Sequence, residues 1–272
     1  MPLVSVLMPV YNGERFLRPA IESILNQTYR DFEFLIINDG STDSTESIIL
    51  SYSDPRIVYL KNETNLQLIR TLNKGIELAR GQYIARMDAD DIAHPARLAL
   101  QIEFLLHNKV DVVASSYRTI DENGRRIGFH WNYSCGDREI RFFTMFMSQL
   151  AHPTIFAKAD VIKRFLYRDA PEVIHAEDLD LWIRLMAEGI RFALDGRQLL
   201  SYRRTASSIT AKYVETTLIN SIELFRKWQQ NQLGYSLAQK DMLNFLYPNR
   251  ADCCAAEVRG TISELSRILS DY

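Results

Sequence analysis

Cysteine is the scarcest informative residue in this chain: only Cys135, Cys253 and Cys254 occur in 272 residues. An odd number with an adjacent pair excludes a disulfide framework, and no Cys/His spacing fits a tetrahedral zinc site. Long apolar runs are also missing; none approaches the roughly 18 residues of a membrane span. Neither charge sign dominates. A net charge of −2 gives no basic surplus, so no nucleic-acid partner is expected. The stretch Met1-Pro2-Leu3-Val4-Ser5 lacks the basic start of a signal peptide, and Glu14 and Arg15 soon follow. These absences set the expectation of a reduced, cytoplasmic protein. Glycine is wanting where a phosphate loop needs it. Pro9-Val10-Tyr11-Asn12-Gly13-Glu14 follows the first apolar run without three spaced glycines and without Gly-Lys-Ser/Thr.

What is present is enough to fill a core: 47% hydrophobic and 11% aromatic residues exclude a disordered chain. Val4 to Met8, Phe32 to Ile37, Ile57 to Leu60, Tyr83 to Met87 and Val110 to Ala114 read as short buried strands. Helical spacing lies between them. Phe16 to Leu25 comes first, then a helix capped by Ser41 or Thr42. Leu68 to Ala79 is closed by Arg80-Gly81, and Pro95 starts a helix through Leu106. This alternation predicts a parallel α/β sheet over residues 1–115. Tyr117 to Ile127, around Glu122-Asn123-Gly124, reads as a hairpin. Ile140 to Met147 and Glu177 to Glu188 read as helices, and Thr154 to Ala157 as a strand. Beyond about Ala211 the chain is helical to roughly Leu269, with a face suited to packing, a partner or a membrane surface.

The densest chemical signal is Asp88-Ala89-Asp90-Asp91, directly after the fourth strand. Crowded carboxylates repel one another unless something positive sits among them or water screens them. A hard divalent cation carrying a phosphorylated ligand fits, and ligands of open α/β sheets bind at the strands' carboxyl ends. A solvated turn, with Asp91 as a helix-start charge, is the plainer reading. Asp39 ends the second strand, where it suits either a base or ribose contact or a helix cap. Tyr11 suits a flat contact with a base or a simple turn. Glu177 and Asp178 open a helix, where acids complement the dipole or serve as a base for a hydroxyl. His152 reads as a structural residue, and Tyr202-Arg203-Arg204 as an exposed basic turn or a phosphate contact.

Taken in order and spacing, these pieces resemble the family-2 glycosyltransferases of the GT-A fold. The matching runs are Val4-Ser5-Val6-Leu7-Met8-Pro9-Val10-Tyr11-Asn12, Ile24-Leu25-Asn26-Gln27-Thr28-Tyr29 and Phe34-Leu35-Ile36-Ile37-Asn38-Asp39-Gly40-Ser41. Asn73-Lys74-Gly75, Ala79-Arg80-Gly81-Gln82-Tyr83-Ile84, Asp88-Ala89-Asp90-Asp91 and Glu177-Asp178 with Leu181-Trp182-Ile183-Arg184 complete them. The likeness covers roughly Pro2 to Arg204.

The resemblance implies a GT-A sheet with a C-terminal helical extension. Residues 1–115 would bind the nucleotide sugar, 116–210 would carry the acceptor and catalytic half, and 211–272 a helical segment. It implies inverting, metal-dependent transfer of a sugar from a nucleotide donor, most often a UDP-sugar, to a glycan or glycolipid hydroxyl. Pro9 and Tyr11 would border the base, Asp39 would hold uracil N3, and Asn65 would lie beside the nucleotide. Asp88 would contact ribose or sugar, Asp90 would coordinate Mn²⁺ or Mg²⁺, and Asp178 would be the general base. Peripheral contact with the inner face of the cell membrane is a further expectation. The chain departs from the family at Leu72, where many members carry arginine (Arg70 is the nearby substitute), and at Thr205, near a frequent histidine. Two other readings stand beside this one. A sugar-1-phosphate nucleotidyltransferase needs a basic glycine-rich loop that Pro9 to Glu14 is not. A nucleotide-sugar-binding protein without turnover is the other.

Overall fold

Alternate residues of the first two strands serve opposite faces of one sheet. In the computed structural model, which describes residues 2–128, 133–205, 208 and 212–246, β1 (Val4–Val10) and β2 (Phe32–Asn38) are buried throughout. Leu7, Leu35 and Ile37 join one core, and Val6, Met8, Phe34 and Ile36 the other. A strand covered on both sides reads as a nearly continuous apolar run. The polar exceptions have partners. Ser5 donates to Glu33 at 2.6 Å, and Glu33 accepts from the Arg80 backbone N–H at 2.7 Å.

The remaining elements are α1 (Leu17–Leu25), α2 (Thr45–Leu50), β3 (Ile57–Lys61), α3 (Gln67–Leu78), β4 (Tyr83–Arg86), β5 (Ile92–Ala93), α4 (Arg97–Asn108), β6 (Val112–Ile120) and α5 (Asp137–Phe143). Then come β7 (Phe156–Lys158), α6 (Ala159–Phe165), α7 (Glu177–Ala187), β8 (Phe192–Arg203), α8 (Val214–Leu233) and α9 (Gln239–Leu246). The strands form one sheet in the order β3-β2-β1-β4-β7-β6-β8-β5. Strands β1 to β4 are parallel, as the alternation predicts.

The expected fifth strand is present as β6 and runs in the same sense as β4, but it is not the next strand of the sheet. β6 does not lie beside β4; β7 enters between them, antiparallel to both. Two halves of the chain therefore share one sheet. The parallel run ends at β4 because its open edge is filled by backbone from 70 residues downstream, which local periodicity cannot reveal. β8 leaves no continuous apolar run in the sequence because Asp195-Gly196-Arg197 interrupts its apolar ends, at a register shift opposite Ser115 and Ser116. The expected hairpin is a tight Asp121–Arg125 turn with one further bridge, Ile120 to Arg126.

Three local readings change as well. α2 starts at Thr45, not after Ser41 or Thr42, and Asp43 accepts the Thr45 N–H at 3.0 Å. α4 starts at Arg97, two residues beyond Pro95. Gly81 is not a left-handed helix cap: α3 has already ended, and Gly81 lies where a Cβ would meet Ser5 N at 2.6 Å and Val4 C at 2.7 Å. The glycine allows the chain to pass against β1. At the C-terminal end, α8 places Ile222, Phe225 and Trp228 in the core beside Trp182 of α7. Its inner face is packing, and the expected helix beyond 246 lies outside the described residues. No helix among the described residues is long and apolar enough to cross a membrane.

Replacing Gly81 by Ala drives a methyl into backbone, so it should destabilise by about 1–3 kcal/mol. Urea unfolding would read this as a lowered midpoint; an unchanged midpoint would contradict the close approach.

Candidate active site

The carboxyl ends of β1, β2 and β4 bring three loops together. Asp39 N–H donates to Val10 O at 2.8 Å, and Met87 N–H to Leu7 O at 3.0 Å. The first two loops are tied by side chains. Asn12, at φ +49°, accepts from Thr42 N–H at 2.8 Å, and its own N–H donates to Ser41 at 2.9 Å. Gly13 N–H donates to Thr45 Oγ1, and a Cβ on Gly13 would lie 3.9 Å from Ala89 of the acidic turn. The polar residues around Tyr11 thus tie the loops after β1 and β2 to one another.

Asp39 is buried but is not a helix cap. Its Oδ1 accepts from Asn62 Nδ2 at 2.7 Å and from Leu66 N–H at 2.9 Å. Asn62 in turn accepts from Lys74 Nζ at 2.7 Å. Lys74 is thus a basic group one side chain behind Asp39, which sequence reasoning missed; its signal was a lysine one turn after Arg70 on α3. Gly40, at φ +71°, lies against Thr64 and Asn65, so close that a Cβ would meet Asn65 N at 2.8 Å. Pro9 is buried in β1, while Tyr11 is half exposed at its end. The structure therefore gathers Pro9, Tyr11, Asp39 and Asn65 at one place. Leu72 is core, and Arg70 makes an exposed ion pair with Asp169 at 2.6 Å. Asn73 is spent on the backbone of Tyr167, exchanging two 2.8 Å bonds with it.

Asp88, Asp90 and Asp91 each bring one carboxylate oxygen within 4.8 Å of the others. The positive charge they require is partly supplied by the chain. Arg86 is buried and ion-pairs with Asp88. Arg203 donates its N–H to Asp91 Oδ1 at 2.8 Å, and its guanidinium to the carbonyls of Asp90 and Asp121, also at 2.8 Å. Arg203 is buried, which corrects the exposed basic turn expected there. Arg97 supports the same turn from beneath, donating to Arg86 O at 2.7 Å. Asp91 begins no helix, since α4 opens six residues later, and its Oδ2 is buried without a hydrogen bond.

Burial, and then the charge of Asp88, pushes the Asp90 carboxyl up to about 6. Burial and both neighbours push Asp91 well above the carboxylate range. Three hard oxygen donors, one of them orphaned, match what Mg²⁺ or Mn²⁺ takes from a protein, and such a cation reverses this proton balance.

Glu177 and Asp178 stand at the start of α7, within the field of the same group. Burial raises the Asp178 carboxyl, Arg86 opposes the rise, and the charge of Asp88 adds to it. Burial, then Asp178, pushes Glu177 up to about 7. Glu177 is buried to 8% exposure, whereas Asp178 keeps more of its surface open. Asp180, on the next face, is occupied by Arg168 and Arg184, each at 2.8 Å. His152 is structural, as expected. It is buried against the Tyr167 hydroxyl at 2.6 Å, and burial followed by the charge of Arg86 keeps it neutral.

The sequence matches the family described as Glycosyl transferase family 2 over residues 5–169. The chain belongs to that family. O-antigen biosynthesis glycosyltransferase WbnJ of Escherichia coli is 35% identical to this glycosyltransferase over 208 residues, 75% of this chain and 80% of that protein. S. aureus TarS 1-349, solved with UDP-GlcNAc, has a TM-score of 0.69 at 18% identity, covering 90% of this chain and 74% of TarS. The mannosyltransferase PcManGT from Pyrobaculum calidifontis, solved with GDP-Man and Mn²⁺, has a TM-score of 0.60 at 15% identity, covering 99% and 75%. These distant likenesses establish the fold, a GT-A glycosyltransferase sheet with helices added at its C-terminal end.

Because Glu177 keeps its proton to about 7 in the folded chain but only to about 4.5 in the unfolded one, raising pH through that window ionises the unfolded chain first and lowers the stability of the fold. Glu177→Gln should therefore gain stability over wild type at pH 8 and little at pH 5. Urea unfolding at both pH values measures this, and an equal difference at the two would count against the burial of that carboxyl.

Proposed function

We propose that this family-2 glycosyltransferase is an inverting, metal-dependent enzyme. It moves a sugar from a nucleoside-diphosphate donor, a UDP-sugar, to a hydroxyl of a glycan or glycolipid acceptor. The observation that carries the reading is the presence of two acidic groups within one another's field: the clustered carboxylates of the turn after β4, and Asp178 at the start of α7, whose proton affinity the charge of Asp88 raises. UDP-GlcNAc in the TarS structure and the O-antigen role in the name of WbnJ support the donor and acceptor classes. Mn²⁺ in the mannosyltransferase structure supports the cation.

The residue roles are those the family resemblance implies, and the positions are compatible with them. The Tyr11 ring, half exposed beside Pro9, presents a face to the base. Asp39 has used one oxygen on Asn62 and Leu66, and a carboxylate has lone pairs left for uracil N3–H. Asn65 borders the same nucleotide. Asp88 would receive ribose or donor sugar, and Asp90 would hold the cation, with Asp91 in the same cluster. Bound Mn²⁺ or Mg²⁺ supplies positive charge against the diphosphate that leaves. The acceptor oxygen forms its bond to the anomeric carbon as the bond to the donor phosphate oxygen breaks, and the electron pair stays with the diphosphate. Asp178 takes the acceptor's proton on the opposite face. This is the carboxylate base of an inverting mechanism, with the leaving group stabilised by charge instead of by an acid.

Asp178→Asn should lower transfer by roughly 10²–10⁴-fold, the usual worth of a general base, while leaving UDP binding intact. Since only the ionised form accepts a proton and burial raises this carboxyl, transfer should fall on acidification at a pH above the ordinary value near 4. Rates across pH with a UDP-sugar panel, together with thermal shifts by UDP with and without Mn²⁺, test the assignment. Full activity in Asp178→Asn, or a UDP shift indifferent to Mn²⁺ in wild type, would refute the corresponding role. Donor binding with neither transfer nor hydrolysis would favour a binding protein instead.

A further inference from the structure

Asp39 has one free oxygen rather than two. Asn62 N–H donates to Asn38 O at 2.8 Å, which carries the β2–β3 pairing one residue past Lys61 and brings Asn62 beside Asp39. The Asn62 amide has a single workable orientation. Lys74 Nζ lies 2.7 Å from its Oδ1, and a lysine only donates; the carboxylate at the other end only accepts. Asn62 Nδ2 therefore gives one hydrogen to Asp39 Oδ1 at 2.7 Å and the other to Thr71 Oγ1 at 3.0 Å. Asn62 is 2% exposed, so its amide is spent inside the protein. The Leu66 N–H reaches the same Asp39 Oδ1 at 2.9 Å. Two donors fill the two lone pairs of that oxygen. Asp39 Oδ2 receives no hydrogen bond among the described residues.

We propose that Asn62, oriented by Lys74, is a positioning residue that sets base specificity: by occupying Asp39 Oδ1 it makes the site take uracil and refuse guanine. The inference rests on the reading of Asp39 as the partner of the base. A bare carboxylate presents two acceptors side by side. That matches guanine, whose N1–H and amino group are adjacent donors. Uracil presents one N–H between two carbonyls, so a second bare oxygen would face a carbonyl oxygen and be repelled. With Oδ1 covered by N–H donors, Oδ2 alone meets uracil N3–H. Guanine placed there would leave its amino group against a saturated oxygen, and a buried donor without a partner is costly. The segment between β3 and α3, not Asp39 alone, then decides which base is held.

Calorimetric titration with UDP, GDP and CDP, each at saturating Mn²⁺, tests this on wild type, Asn62→Ala and Lys74→Met. The three ligands share ribose and diphosphate, so their ratios report the base. Circular dichroism checks the fold of each protein. Wild type should bind UDP at least about ten-fold more tightly than GDP, the scale of one hydrogen bond to a charged group. Asn62→Ala should narrow that ratio by about the same factor, losing UDP affinity and gaining GDP affinity. Lys74→Met frees the amide to turn and should narrow the ratio in the same direction; it carries the test alone if Asn62→Ala does not fold. An Asn62 that merely supports the fold predicts equal weakening of both ligands and an unchanged ratio, which overturns the inference. GDP excluded from a folded variant as strongly as from wild type also overturns it, because the size of the purine would then be what excludes guanine. So does a wild type that binds GDP as tightly as UDP. If wild type prefers neither UDP nor CDP, whose N3 carries no proton, the reading of Asp39 itself fails and takes this inference with it.

Discussion

One buried guanidinium holds the site's charges in balance. Arg86 ends β4 beneath Asp88, and its field reaches Asp90, Asp91, Glu177 and Asp178. Carboxylates brought together out of water raise one another's proton affinity, and their common cation limits the rise. The same charge helps keep His152 neutral. The strand end, the acidic turn and the start of α7 therefore behave as one electrostatic unit. A change at any of them is felt by the others.

The backbone beneath that unit is braced from three directions. Arg97 holds the Arg86 carbonyl, and Arg203 holds both the Asp90 carbonyl and, through its own N–H, Asp91. The residue just ahead of β7 completes the support, since Ile155 O accepts the Arg86 N–H at 2.9 Å. Such bracing matters because a catalytic group displaced by an ångström loses much of its effect. The other wall is stiffened differently, by the lattice of Asn12, Ser41, Thr42, Asp43 and Thr45 that joins the loops after β1 and β2. The glycosyltransferase thus uses buried charge under the acidic turn and short side-chain bonds around the proposed base pocket.

The C-terminal helices are not an appendage in this arrangement. Trp228 of α8 is buried and donates to Arg141 O at 3.0 Å, and Asn220 donates to Ile174 O at 2.9 Å, just ahead of the Glu177–Asp178 pair. His175, at φ +65°, stacks on Tyr213 with ring centroids 4.2 Å apart. The segment leading into the proposed base is therefore clamped from α8. That ties the start of α7 to α8.

The residue order alone determined the first four strands and their helices, because a twofold-buried parallel strand leaves an apolar run and its crossover helix a 3.6-residue stripe. It also determined which carboxylates lie at strand ends, and the spacing of Asp39, Asp88-Ala89-Asp90-Asp91 and Glu177-Asp178 carried the family. It did not determine that β7 would enter antiparallel beside β4, or that β8 would form at all, since those pairings join residues 70 or more positions apart. Nor could it tell Asp39 from a helix cap or Arg203 from an exposed turn; both depend on partners supplied by distant segments. Crowded aspartates announced the need for a positive charge. That a buried arginine meets part of that need, leaving Asp91 Oδ2 without a partner, was decided only when the chain closed around Arg86.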